Sequence, residues 1–167
     1  MRGNWELWHL SRPEQFFAYS LGYLRAALRN ELVDEHEDLP FEWPDAAASL
    51  MLLAHAVELF LKGAILHRSG RLGKTHDLRG LKAQYDALFP EEEFRWELPF
   101  QTEYLEMSPE EIEKSQKEEP NPSVLYRYPD NFYNQPWRGV FGYKKGEHIP
   151  WGVYDEIIEL QRRVLRT

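Results

Sequence analysis

The stretch HAVELFLKGAILHRSGRLGKTHDLRGL, residues 55–81, decides how the rest of the chain is read. Its first half is apolar almost all the way round a helix, yet it carries His55, Glu58 and Lys62. At about 100° per residue these three fall within about 60° of one another and form one narrow polar stripe. Such a helix packs on neighbours over most of its circumference and shows only that stripe to solvent or to a polar pocket. The second half is a basic loop, punctuated by glycine, that ends in His76-Asp77-Leu78.

Working outward, Pro44 and Asp45 are start signals for this helix and Gly70 is its stop. Upstream, Ser11 followed by Glu14 has the capping-box spacing, and Pro13 sits in the first turn, where its missing N–H costs nothing. A helix follows, with Phe17, Leu21, Leu24 and Leu28 on its buried face and Arg25 and Arg29 elsewhere. Downstream, Thr75 or Asp77 caps a third helix whose inner face is Leu78, Leu81, Tyr85 and Leu88, closed by Pro90. Two helices joined by so short a loop are expected to lie antiparallel.

From Glu91 the pattern changes. FRWELPFQTEYLEM is rich in aromatic and β-branched residues without a helical period, and SPEEIEKSQKEEP reads as a short capped helix between Ser108 and Pro120. Short extended pieces follow, with Lys145-Gly146 as a hairpin turn. The chain closes on a helix with Val153, Ile157, Leu160 and Val164 on one face and Arg162, Arg163 and Arg166 in its last turns, an order of charge that complements the helix dipole. The expected organisation is a single domain over 1–167, with a helical core at about 11–90 and 150–166 and an aromatic elaboration at about 91–149.

The chain has 167 residues, 43% of them hydrophobic and 14% aromatic, which is enough for a substantial core. The net charge of −8 repels phosphate backbones on average, so any nucleic-acid contact has to come from a local basic patch. With no cysteine, disulfides and thiolate metal sites are excluded. Glu58 and Lys62 interrupt the best candidate for a membrane span, and MRGNWELWHL carries no apolar signal region, so the expectation is a cytoplasmic protein without a membrane.

AVELFLKGAILHRSG, then THDLRGL, and later YRYPD at Tyr126–Asp130, together resemble the HEPN family, named for nucleotide binding in higher eukaryotes and prokaryotes. Order and spacing agree over roughly 11–90 and 124–166. The resemblance implies a mainly α, HEPN-like up-and-down helical bundle, here with an irregular or short-β aromatic insertion before the last helix, and often a homodimer. It also implies one of two roles. Some members look like metal-independent ribonucleases of toxin–antitoxin and phage-defence systems, often beside a nucleotidyltransferase partner. Others look like non-catalytic nucleotide-binding or scaffold modules.

The catalytic branch carries an Arg, four to six residues, then a His. Arg71 to His76 and Arg29 to His36 both satisfy this, although six histidines and the arginine density give about 1.4 such spacings by chance. In the catalytic members the motif lies late in the bundle. Arg71 and His76 instead sit in the His-Asp-Leu loop, and Arg29 ends the first helix.

Two chemistries stand side by side. His76 is placed to act as general acid or base on a ribose 2′-OH or a leaving oxygen, with Arg71 stabilising charge that develops on the phosphate. Alternatively, Thr75 and Asp77 cap the third helix and His76 bonds a neighbour. Lys62, Arg68, Lys74 and Arg127 are the candidate ligand-binding cations, with Arg79 beside them, since basic groups around a loop and a helix N-terminus suit a phosphate. His55, Glu58, Asp77 and Asp130 are the candidate structural network, in which Glu58 and Lys62 have the favourable ion-pair order and Arg127 is in range of Glu58. No metal or other cofactor is expected, because His55, Glu58 and His76 lack a third ligand fixed by spacing. Trp137, Phe141, Tyr143 and Trp151 are placed either to stack bases or to pack the insertion. The functional expectation is a nucleotide- or RNA-binding protein of a toxin–antitoxin or defence-type system, possessing or lacking ribonuclease activity. A non-enzymatic helical interaction module with a purely structural pocket is the alternative.

Overall fold

Ser11 ends the N-terminal 3-10 turn region and opens α1, Arg12–Leu32, in the computed structural model, which describes residues 4–32, 43–103, 108–118, 140–142 and 149–167. The Ser11 N–H donates to Glu14 Oε2 at 2.7 Å, the reciprocal half of a capping box. Hydrogen bonding to Ser11 holds the Glu14 carboxyl below its usual range. α2, Trp43–Ser69, starts two residues before Asp45 with Pro44 in its first turn, and α3 is Leu78–Leu88. A three-residue antiparallel ladder pairs β1, Gln101–Glu103, with β2, Val140–Gly142. α4, Pro109–Glu118, carries a complete capping box: the Ser108 N–H donates to Glu111 Oε2 at 2.9 Å and the Glu111 N–H donates to Ser108 Oγ at 3.3 Å. α5, Ile149–Val164, closes the chain. The protein is mainly α.

α2 is the central element, and α1, α3 and α5 all pack on it. Leu50, Leu53, Val57, Phe60, Leu61 and Ile65 are buried around several sides of it, which is why its apolar residues have no single face. By length and composition Ala46–Ser69 is a candidate membrane span, its Glu58 and Lys62 notwithstanding, and 78% of that apolar window is covered by the rest of the protein. Its neighbours therefore supply the apolar contacts that a bilayer would otherwise provide.

α1 runs antiparallel to α2. Phe17 meets Phe60, Ser20 Oγ donates to Ala56 O at 2.8 Å, Tyr23 meets His55, and Asn30 Nδ2 donates to Ser49 Oγ at 2.7 Å, so contacts descend one helix as they climb the other. Gly63 makes the approach close, because a Cβ there would stand 2.6 Å from the Phe17 ring and 3.1 Å from Phe16 Cβ. The pair buries Phe17, Leu24, Ala27 and Leu28, as the sequence periodicity implies, while Leu21 is half-buried.

α3 does not lie antiparallel to α2. His76, just before α3, meets Glu58, whereas Phe89, just after it, lies under the Arg68 guanidinium, so α3 advances along α2 in the same sense. The connection from Gly70 to Asp77 permits this. At about 3.3 Å per extended residue it spans the ~15 Å that ten residues of helix rise, and the chain returns down α2 before α3 begins. Gly70, at φ 68°, makes the reversal possible: its N–H donates to Leu66 O at 2.9 Å, closing the end of α2 in the left-handed conformation that glycine adopts without a Cβ penalty.

The start of the elaboration packs on the core. Phe94 and Trp96 are buried, Trp96 stands edge-on to Phe60 at 5.6 Å, and the Tyr85 hydroxyl donates to Phe94 O at 3.1 Å. An Arg163 guanidinium N–H from α5 donates to Glu93 O. Val153, Ile157, Leu160 and Val164 of α5 are all buried. Lys145-Gly146, Trp137, Tyr143, Arg127, Asp130 and His36 lie outside the described residues.

Candidate functional site

The polar stripe of α2 is covered by the chain. Glu58 is 2% exposed and Lys62 7%, and they lie one turn apart with Lys62 Nζ donating to Glu58 Oε1 at 2.7 Å. A helical i, i+4 spacing brings such a pair together, and burial strengthens it, because no water competes for either charge. His55, half-buried, has Nδ1 4.0 Å from Glu58 Oε2, and the Tyr23 ring of α1 stands edge-on to its imidazole at 4.4 Å between centroids.

His76 completes the cluster from the far end of the loop. Its Nδ1 lies 2.9 Å from Glu58 Oε1 while its side chain is 73% exposed. A carboxylate facing Lys62 is ionised and only accepts, so Nδ1 carries the hydrogen and donates it. A buried acid thus orients an exposed imidazole, the arrangement that fixes the tautomer and direction of an acid–base histidine.

Asp77 is used locally. Its Oδ1 accepts from the Arg79 N–H and its Oδ2 from the Gly80 N–H, each at 3.1 Å, and its own N–H donates to Thr75 Oγ1 at 3.1 Å. Asp77 is therefore the N-cap of α3, and Thr75 braces the cap. The two amides that Asp77 binds cannot also cradle a phosphate.

The basic residues around the loop divide by position. Arg71 and Lys74 are exposed on the loop. Ser69 Oγ pins the loop at its start, lying 2.7 Å from Ile65 O and 2.9 Å from Arg71 O and accepting from the Arg71 N–H at 3.2 Å. Arg68 stands over the Phe89 ring at 5.7 Å, near the end of α3, and Arg79 is exposed in its first turn. Lys62, grouped by sequence with these cations, is instead nearly sealed against Glu58.

Of the sequence-derived candidates, the fold gathers His55, Glu58, Lys62 and His76 into one cluster and places Arg71, Lys74 and Asp77 on the loop that reaches it. Arg68 is turned to the other end of α3. Arg127 and Asp130 lie outside the described residues, as does His36 of the second Arg–His spacing. Tyr23 is the residue that sequence reasoning did not single out. It belongs to the half-buried face of α1, and nothing in local spacing reveals which residue of α2 it will meet. Among the described residues no group of three or more His, Asp or Glu side chains is arranged to hold a metal. Compared with models of protein families, with curated proteins and with solved structures, the chain has no match.

Proposed function

We propose that this chain is an HEPN-like protein that binds a nucleotide or RNA at the loop Gly70–Asp77, within a toxin–antitoxin or defence-type system, and that His76 is the acid–base group of metal-independent RNA cleavage. One observation carries the reading: an exposed imidazole, oriented by a buried carboxylate 2.9 Å away, on the loop that also bears Arg71 and Lys74. A positioned histidine beside cations suits phosphodiester cleavage. The imidazole takes the proton of a ribose 2′-OH, the 2′ oxygen attacks phosphorus, and the 5′ oxygen leaves with a proton, giving a 2′,3′-cyclic phosphate and a 5′-hydroxyl. Arg71 offsets charge on the phosphoryl oxygens. With a net charge of −8, the rest of the molecule repels the backbone, so binding depends on these few cations and weakens steeply with salt.

The test is cleavage of a mixed RNA pool by purified protein in excess EDTA, with His76→Ala and Arg71→Ala in parallel. Cutting that vanishes in both variants supports the reading, and cutting that survives both removes these residues from catalysis.

A second reading, a non-enzymatic interaction module, draws on a different observation. Lys62 and Asp77 direct their charges inward, one to Glu58 and the other to the amides of α3, as residues of a structural network do. Absence of cleavage in that assay, with a native circular dichroism spectrum, favours the module.

A further inference from the structure

The loop from Gly70 to Asp77 is held at its two ends. Ser69 ties its start, and the His76–Glu58 hydrogen bond ties its end to α2. Between these ties lie Arg71 and Lys74. Glu58 is buried and does not itself face the solvent from which a ligand arrives, and Lys62 holds its carboxylate in place at 2.7 Å.

We infer that Glu58 is a positioning residue for nucleic-acid binding, acting through His76 to hold the basic loop in its binding geometry. The inference rests on the reading that the loop is where RNA binds. It reverses the plain electrostatic expectation. A buried negative charge near a cationic loop lowers the affinity for an anion, so removing it should tighten binding if Glu58 acted only through its field. If Glu58 acts by anchoring His76, removing it loosens the loop and weakens binding instead. The two accounts differ in sign.

Lys62 belongs to the same device. With the carboxylate neutralised by an ammonium already inside the protein, Glu58 presents His76 with a fixed acceptor and adds little net charge to the cluster. This assigns Lys62 to loop placement, although its charge type alone would suggest contact with phosphate.

The experiment is fluorescence anisotropy of a short fluorescein-labelled RNA at low salt in EDTA. It compares wild type, Glu58→Gln, His76→Ala, His76→Asn and the double variant Glu58→Gln/His76→Ala, each checked for folding by circular dichroism. Asn places an amide N–H close to where the Nδ1–H of histidine lies, so it keeps the bond to Glu58 without the imidazole. The expected result is a loss of about fivefold or more in affinity for Glu58→Gln and for His76→Ala, near wild-type binding for His76→Asn, and a double variant no weaker than His76→Ala alone. Unchanged or tighter binding by Glu58→Gln, or losses that multiply in the double variant, overturns the inference and leaves the RNA-binding reading standing. If Glu58→Gln does not fold, the exposed position decides: weak His76→Ala with restored His76→Asn supports the anchor, and equal loss in both overturns it. A wild-type protein that binds no RNA overturns the reading, and this inference with it.

Discussion

Lys62 Nζ lies 2.7 Å from Glu58 Oε1, with the two side chains only 9% and 3% exposed. Breaking such a pair from one side leaves a charge with neither water nor its partner. Lys62→Met is expected to lower the unfolding free energy by about 3 kcal/mol. The double variant Glu58→Leu/Lys62→Met, which removes both charges, is expected to recover at least half of that. Urea denaturation followed by far-UV circular dichroism reads both, and a loss below about 1 kcal/mol for Lys62→Met means the pair is wet in solution.

Gly63 sits where α1 and α2 approach most closely, with a built Cβ 2.6 Å from the Phe17 ring. Alanine is the better helix former by about 1 kcal/mol, so an open site would be stabilised by Gly63→Ala. Here the ring is buried and packed on Phe60, and the helices must part or the ring must tilt. Gly63→Ala is expected to destabilise by about 1–3 kcal/mol, and Phe17→Leu added to it to restore part of the loss. A rise in thermal midpoint for Gly63→Ala alone would refute the close packing.

Asp77 accepts two amide hydrogen bonds at the start of α3. Asp77→Ala is expected to cost about 1 kcal/mol in thermal or urea unfolding, and Asp77→Asn much less, because an asparagine oxygen still caps. Neither change should weaken RNA binding if Asp77 is only a cap. A loss of affinity in Asp77→Asn, with stability kept, would instead give its charge a role at the ligand.

Burial pushes the Tyr85 hydroxyl well above its ordinary pKa, with Asp86 adding to the effect, and the hydroxyl donates to Phe94 O at 3.1 Å. The sign follows from linkage. Above about pH 10 the unfolded tyrosine gives up its proton and the folded one keeps it, so the unfolded state is favoured as pH rises. The stability is present below that pH and falls away above it. Tyr85→Phe is expected to flatten the alkaline limb of stability measured between pH 9 and pH 11, at a cost of about 1 kcal/mol near neutrality from the unpaired Phe94 carbonyl. An alkaline limb unchanged in the variant would assign that loss to other groups.

What the sequence by itself determined is local. Capping spacings at Ser11–Glu14 and Ser108–Glu111, apolar periodicity in α1, α3 and α5, and the stop at Gly70 act within a few residues, and these set where helices begin, end and bury their faces. The Glu58–Lys62 pair was legible for the same reason, since an i, i+4 spacing closes on one helix whatever surrounds it. The tertiary structure alone decided the rest. It sealed that pair from solvent, set Tyr23 against His55, and carried the loop back along α2 so that His76 meets Glu58 across eighteen residues of chain. Each of these depends on how one helix is placed against another. That placement comes from close packing at Gly63 and Phe17 and from the reach of the loop, which no local periodicity records.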